Sequence, residues 1–276
     1  MLYICATPIG NLLDITYRAI EILSNADIIL CEDTRNSSHL LKHYSINQAK
    51  LISLHQHNEN HITEKVLEYL ANNKIIVQIS DAGTPSISDP GARLCNQVIN
   101  AGYQISPLPG ACAYTTLLSV SGIDSAHLFY GFLPHTSNKR INILNDWQNI
   151  NYAVILYEAP HRILETLYDI QTVFGHEKII VLGRELTKQF ETIKKMPIEK
   201  LIQFISNDPY QQKGEFVIII CADKKTNTLT QKQQNAINEI SKFFSPKKAA
   251  SFVAKYLDGD KNQLYNYLLN QKNETK

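Results

Sequence analysis

The chain has 276 residues, 44% of them hydrophobic and 19% charged, with a formal net charge of +1. That balance excludes intrinsic disorder, and the length allows two domains or one large one. No apolar run approaches the ~20 residues of a membrane helix. The opening residues lack a basic region and a cleavage site, so neither a membrane span nor a secretory signal is expected. Five scattered cysteines, Cys5, Cys31, Cys95, Cys112 and Cys221, form no Cys-x-x-Cys motif. Several sit in strand-like runs as small core hydrophobes, which fits a reducing cytoplasm.

Strand-like runs alternate with helix-like runs along most of the chain. The apolar pattern predicts strands at residues 2–6, 28–31, 51–54, 75–80, 103–107, 128–131, 152–157, 179–184 and 215–222. Most are rich in Ile and Val without clean alternation, as in strands covered on both faces. Between them, Ile15, Ala19, Ile22 and Leu23 make one helical stripe, and Ile62, Val66, Leu67 and Leu70 another. This order implies an α/β architecture. Boundaries fall near residues 121–125 and in the polar run 223–230. They divide the chain into an α/β domain at 1–121, a second at 122–223 and a helical segment at 224–276. That last segment holds ten lysines and only four acids. It reads either as a surface for a negative partner or as a solvated helical face. Within it, Ser245 and Pro246 make an N-cap and first-turn pair, and two helices flank an Asp258-Gly-Asp260 turn.

Polar clusters recur where strands end, the edge at which open α/β sheets bind ligands. The longest is Ser80-Asp-Ala-Gly-Thr-Pro-Ser-Ile-Ser-Asp-Pro-Gly91. It exceeds the usual βα loop, and its Gly and Pro residues offer backbone amides to a ligand. The ordinary alternative is a strand-to-helix link capped by Asp89. Thr7-Pro-Ile-Gly-Asn11 follows the first strand, but no Gly-x-Gly-x-x-Gly fingerprint is present. Glu32-Asp-Thr-Arg35 follows the second strand, as a substrate contact or as a helix cap. His55 and His57 have metal-ligand spacing without a third ligand, so polar substrate contacts are the better reading. Pro109-Gly-Ala-Cys-Ala113 opens a small-residue helix that permits close backbone approach. Tyr157-Glu-Ala-Pro-His-Arg162 and Gly183-Arg-Glu-Leu-Thr-Lys188 close two later strands.

In this order, these motifs and Lys213-Gly-Glu215 resemble the ribosomal RNA small-subunit methyltransferase I family. It is a branch of the tetrapyrrole-methylase superfamily of S-adenosylmethionine enzymes. The resemblance runs from Tyr3 to Leu269. It implies two α/β domains of the tetrapyrrole-methylase type with a cofactor cleft between them, plus the small helical C-terminal segment. It further implies a cytoplasmic homodimer that uses S-adenosylmethionine and no metal. The implied reaction methylates the ribose 2′-oxygen of a cytidine in the decoding region of 16S rRNA, on the small ribosomal subunit. Carried over, the cofactor residues are Thr7, Pro8, Gly10, Asn11, Asp81, Ala82, Gly83, Thr84, Pro85, Pro109, Gly110, Ala111 and Ala113. Asp33, Arg35 and Glu158 are the catalytic candidates, with Asp33 or Glu158 as general base. His57, Glu59, Arg162, Arg184, Lys188, Lys247 and Lys248 are the RNA-contact candidates. The chain departs from the family at Thr136, where a Lys is frequent; Lys139 and Arg140 are the expected substitutes. The rival functions are a tetrapyrrole C-methyltransferase and a non-catalytic ribosome-binding protein.

Overall fold

The computed structural model describes residues 1–148, 150–222, 229, 231–257 and 259–274. Met1–Ala222 forms one compact unit and Asp223–Lys276 a second.

The first unit is organised by two sheets. One has five parallel strands, β1 (Leu2–Cys5), β2 (Ile28–Cys31), β3 (Lys50–Ser53), β4 (Ile76–Gln78) and β5 (Ile105–Leu108), in the order β3-β2-β4-β1-β5. Helices α1 (Tyr17–Ser24), α2 (Thr34–His43), α3 (Glu59–Ala71) and α4 (Ala92–Asn100) make the crossovers, and α5 (Ala113–Val120) follows β5. Alternation along β2 shows why these strands lack a polar face. Ile29 and Cys31 pack with Leu23, Leu41 and Val77 on one side of the sheet. Ile28 and Leu30 pack with Val66, Ile76 and Leu94 on the other. Each large aliphatic side chain among them contributes ~1.5–3 kcal/mol on burial. Strand β4 lies between β1 and β2, so the loops leaving β1 and β4 open side by side where the winding direction reverses.

The second sheet is mixed: β6 (His127–Phe132), β7 (Ala153–Glu158), β8 (Ile179–Arg184), β9 (Thr192–Pro197) and β10 (Phe216–Ile220), in the order β6-β7-β10-β8-β9. Its β6–β7 pair is parallel and its other pairs are antiparallel. Helices α6 (Ser137–Asp146), α7 (Ile163–Phe174) and α8 (Ile198–Ser206) bury Leu144, Leu167, Ile170 and Leu201 against one face. The opposite face receives Ile9 and Leu117 of α5, which pack on Ile155, Val181, Val217 and Ile219. The two lobes are therefore joined by a shared apolar layer. Strand β9 is absent from the strands that the apolar pattern predicts: its Thr-Ile-Lys-Lys-Met-Pro pattern suits a charged edge strand, with Ile193 and Lys195 exposed.

The second unit contains α9 (Gln231–Ser241), α10 (Pro246–Tyr256) and α11 (Lys261–Glu274), closed around Ile237, Ala249, Ala250, Val253, Leu264 and Leu268. Ser245 occupies the N-cap of α10 but makes no side-chain cap bond. Asp260 caps α11 through Gln263 N at 2.9 Å, whereas Asp258 and most of the 223–230 boundary lie outside the described residues. Among the described residues, no helix is long and apolar enough to cross a membrane.

Candidate functional site

Three of the loops singled out in the sequence converge. Thr7 and Gly83 exchange backbone hydrogen bonds at 2.9 and 3.0 Å, and the Thr7 hydroxyl donates to Ser80 O at 3.0 Å. The Thr84 hydroxyl donates to Ala111 O at 3.0 Å. The loops after β1, β4 and β5 are thus held as one platform. Two glycines make it possible. Gly83 has a φ of +82°, and a Cβ at Gly110 would stand 2.8 Å from the Ala6 Cβ. The first demands a conformation that L side chains resist, and the second a close approach. On the far side, Asn11 N donates to the Thr187 hydroxyl at 3.1 Å, which ties the β1 loop to the loop after β8.

This platform forms the floor of a cavity of about 300 Å³ between the two lobes. Ile9, Ala82, Gly83, Thr84, Ile87, Cys112 and Ala113 line it from the first lobe, and Phe132, Tyr157, Ala159, Leu186 and Val217 from the second. Its walls also carry three carboxylate residues, Asp89, Glu158 and Glu215. Burial pushes the Asp89 carboxyl up to about 6; the Ser80 hydroxyl opposes this and the charges of Glu32 and Asp81 add to it. Burial likewise raises the Tyr157 phenol, whose oxygen accepts from Tyr114 N at 3.3 Å.

The remaining sequence candidates fall into separate environments. Asp33 is the N-cap of α2, accepting from Arg35 N at 2.8 Å and from the Arg35 guanidinium at 2.8 and 3.2 Å. Those bonds hold its carboxyl down at about 2. Asp81 accepts from Asp33 N and from Asn36, which links the β2 and β4 loops. Glu158 is 3% exposed. It accepts from Arg162 Nη2 at 3.1 Å, the Thr166 hydroxyl and Ala159 N. Lys188 bridges Glu185 and Glu215 at 2.8 and 3.0 Å.

Burial corrects several of the expected roles. Arg162 is turned inward onto Glu158, His135 and Leu133 O, and Arg184 onto Gln211 and Lys213 O. Neither guanidinium is presented to RNA. Glu59 is 5% exposed and accepts from Gly91 N and Leu94 N, so it satisfies the start of α4 from a neighbouring helix. Asp89 does not cap that helix, whose N-cap is Gly91. Arg140 is 1% exposed and paired with Asp169 at 2.6 Å, so its guanidinium is not presented for the contact expected of it. His57 stays exposed beside Arg93 at the rim of a second, open cavity. Lys247 and Lys248 are exposed in the first turn of α10, in the other unit. Neither Asp89 nor Tyr157 is marked as a site residue by the sequence. The only signal for Asp89 is its position at the end of a loop twice the usual length.

A family model described as Tetrapyrrole (Corrin/Porphyrin) Methylases matches residues 1–202. The chain is 44% identical over 271 residues to "Ribosomal RNA small subunit methyltransferase I" of Haemophilus influenzae, covering 97% of this chain and 95% of that protein. It is 43% identical over 270 residues to the protein of that name from Vibrio cholerae, covering 97% and 93%. Among solved structures, diphthine synthase superposes with a TM-score of 0.63 at 15% identity, over 86% of this chain and 94% of that one. That last likeness concerns the fold alone. The two-sheet architecture, the cavity between the lobes and these matches together make the chain a member of the ribosomal RNA small-subunit methyltransferase I family, within the tetrapyrrole methylases.

Proposed function

We propose that this protein transfers a methyl group from S-adenosylmethionine to the ribose 2′-oxygen of a cytidine in 16S rRNA, acting on the small ribosomal subunit as a cytoplasmic homodimer. The observation that carries the reading is the convergence of the β1, β4 and β5 loops on one cavity between the lobes. The residues there fit the cofactor. The volume of about 300 Å³ lies at the lower end of small-molecule sites. Gly83 presents backbone to the cavity, and Ile9, Phe132 and Leu186 give apolar walls. Asp89 supplies negative charge, and no Lys or Arg among the described residues lines the cavity, although Lys188 pairs with Glu215 at its wall.

When bound, S-adenosylmethionine supplies a methyl group made electrophilic by a positively charged sulfur. The protein's share is placement. The platform fixes one reactant and the cavity mouth admits the other, and alignment of this kind supplies up to ~7–11 kcal/mol of the barrier. Apolar walls exclude water as a competing acceptor. The exposed Lys247 and Lys248, within a segment of ten lysines and four acids, are suited to phosphate contact, as is His57 at the rim.

The test is transfer of labelled methyl groups to three acceptors offered in parallel: small subunits from cells lacking the enzyme, naked 16S rRNA and a tetrapyrrole precursor. Label in the subunit or the RNA is the expected result. Label on the tetrapyrrole alone overturns the substrate assignment, and cofactor binding without any transfer overturns the enzymatic one.

A further inference from the structure

Helix α10 of the second unit has two unlike sides. Ala249, Ala250 and Val253 turn inward and pack with Ile237, Leu264 and Leu268. Lys248, Phe252, Lys255 and Tyr256 are exposed and stand at positions i, i+4, i+7 and i+8, so they share one stripe of the helix. The Phe252 and Tyr256 ring centroids lie 4.7 Å apart, and the Lys255 ammonium stands 5.6 Å from the Tyr256 ring. Just before the helix, Phe243 and Phe244 are 80% and 53% exposed. Residues 240–257 hold four aromatic residues and four lysines but no acid.

Helix stability does not account for this face. Lys247 and Lys248 occupy the first turn, where the positive end of the helix macrodipole disfavours them. Lys242 pairs with Glu239 at 2.7 Å, but among the described residues Lys247, Lys248 and Lys255 form no ion pair. Adjoining exposed rings mark an interaction surface, and charge decides its occupant. A second copy of the chain seated here across a two-fold axis sets lysine against lysine. A membrane-surface helix turns a continuous apolar face outward, whereas the aliphatic side of α10 faces the unit's own core. A polyanion that carries flat apolar groups matches both the rings and the lysines, and an unpaired nucleic-acid strand is such a molecule.

We propose that this face of α10 holds unpaired nucleotides of the ribosomal RNA, with Phe252 and Tyr256 stacking on bases and Lys248 and Lys255 neutralising phosphates. The inference rests on the functional reading above and gives the C-terminal segment a chemistry beyond its charge. Bases in a duplex stack on one another and show only their edges, so rings on a helix surface reach base faces only where the strand is open. Stacking tolerates any sequence, because every base has a π-face. The helix therefore selects an open strand and does not choose the nucleotide.

The experiment uses the full chain and two fluorescent probes, a single-stranded RNA of about 12 nucleotides and an RNA duplex of the same length, with affinity read by anisotropy across salt. Wild type should bind the single strand more tightly than the duplex. Phe252→Leu and Tyr256→Leu keep apolar bulk but remove the ring, and each should weaken single-strand binding by about 5–150-fold with the salt slope unchanged. Lys248→Gln and Lys255→Gln should each flatten that slope by about 0.7. Phe252→Tyr and Tyr256→Phe keep the ring and should bind as wild type does. All six variants should hold S-adenosylmethionine with wild-type affinity in calorimetry.

Wild-type affinity in both leucine variants overturns the proposal, and so does equal wild-type affinity for strand and duplex. It also fails if the leucine variants keep their RNA affinity but change the sedimentation mass, which gives the face to a second copy, or the binding to phosphatidylserine vesicles, which gives it to a membrane. If the leucine variants do not fold by circular dichroism, an unchanged salt slope in both glutamine variants overturns it instead. Methyl transfer to small subunits is measured alongside. An inactive wild type defeats the functional reading, whereas an active wild type whose leucine variants bind RNA normally defeats only the assignment of this face.

Discussion

Replacing Glu158 by Ala is expected to destabilise the second lobe severely, for reasons separate from catalysis. The Glu158 and Arg162 side chains are 1% and 8% exposed and lie 3.1 Å apart. Glu158 also accepts from the Thr166 hydroxyl and Ala159 N. Truncation leaves the guanidinium buried with only His135 Nδ1 and the carbonyls of Leu133 and Pro134, and its Nε already lacks a partner among the described residues. A guanidinium does not shed its proton to escape such a site. Breaking a buried pair from one side costs about 3–5 kcal/mol. For a unit of this size, that lowers the melting temperature by roughly 6–20 °C. The single tryptophan makes the assay specific. Trp147 packs in the core of this lobe with Ile163 and Leu167, so its fluorescence in urea reports this lobe. Glu158→Gln keeps an acceptor and should lose only about 1–2 kcal/mol. Glu158→Leu combined with Arg162→Met should recover much of the loss. An Ala variant within about 1 kcal/mol of wild type refutes the reasoning, since that is the scale of an exposed pair. A Gln variant that folds normally but transfers methyl groups more than about 100-fold slower gives Glu158 the role of general base as well.

Gly83→Ala forces an L residue into the left-handed region, at about 1–2 kcal/mol, with its Cβ 3.2 Å from Ile9. S-adenosylmethionine affinity measured by calorimetry should fall by about 5–30-fold; unchanged affinity and stability would remove this loop from the cofactor site. Deleting residues 224–276 should weaken RNA binding and flatten its salt dependence, by about 0.7–0.9 in slope for each phosphate that is no longer neutralised, while cofactor affinity holds. An equal salt slope in the shortened protein excludes an RNA role for the segment. Asp33 should titrate at about 2 by carboxyl NMR, below its ordinary 3.8, and Arg35→Ala should return it toward that value. Because the folded value is depressed, the pair's contribution to stability is present above the ordinary value and disappears as pH falls toward 2. A normal Asp33 titration in wild type would contradict the bidentate pair.

The loops were legible because Gly, Pro and strand ends announce themselves locally. Thr7–Asn11, the 80–91 segment and Pro109–Ala113 were each visible as breaks after apolar runs, and the structure brings all three together. Side-chain direction was not legible. Glu59, Arg140, Arg162 and Arg184 read as surface charges, because charged residues are seldom buried without a partner. Their partners are distant in sequence or cross between elements: Gly91 and Leu94 for Glu59, Asp169 for Arg140, Gln211 for Arg184. Asp89 shows the converse. Its sequence context fits a helix cap, and only the fold reveals that Glu59 already satisfies that helix and leaves Asp89 between two cavities. Strand β9 was hidden by the lysines that protect an exposed edge.

The central claim is most directly tested on the product. Small subunits from cells lacking the enzyme would be methylated by the purified protein, and their RNA digested to nucleosides and analysed by mass spectrometry. The account predicts one methylated cytidine whose extra mass lies on the ribose, with the adjoining phosphodiester resistant to alkali because its 2′-oxygen is blocked. A methyl group on the base, or on a nucleoside other than cytidine, would contradict it.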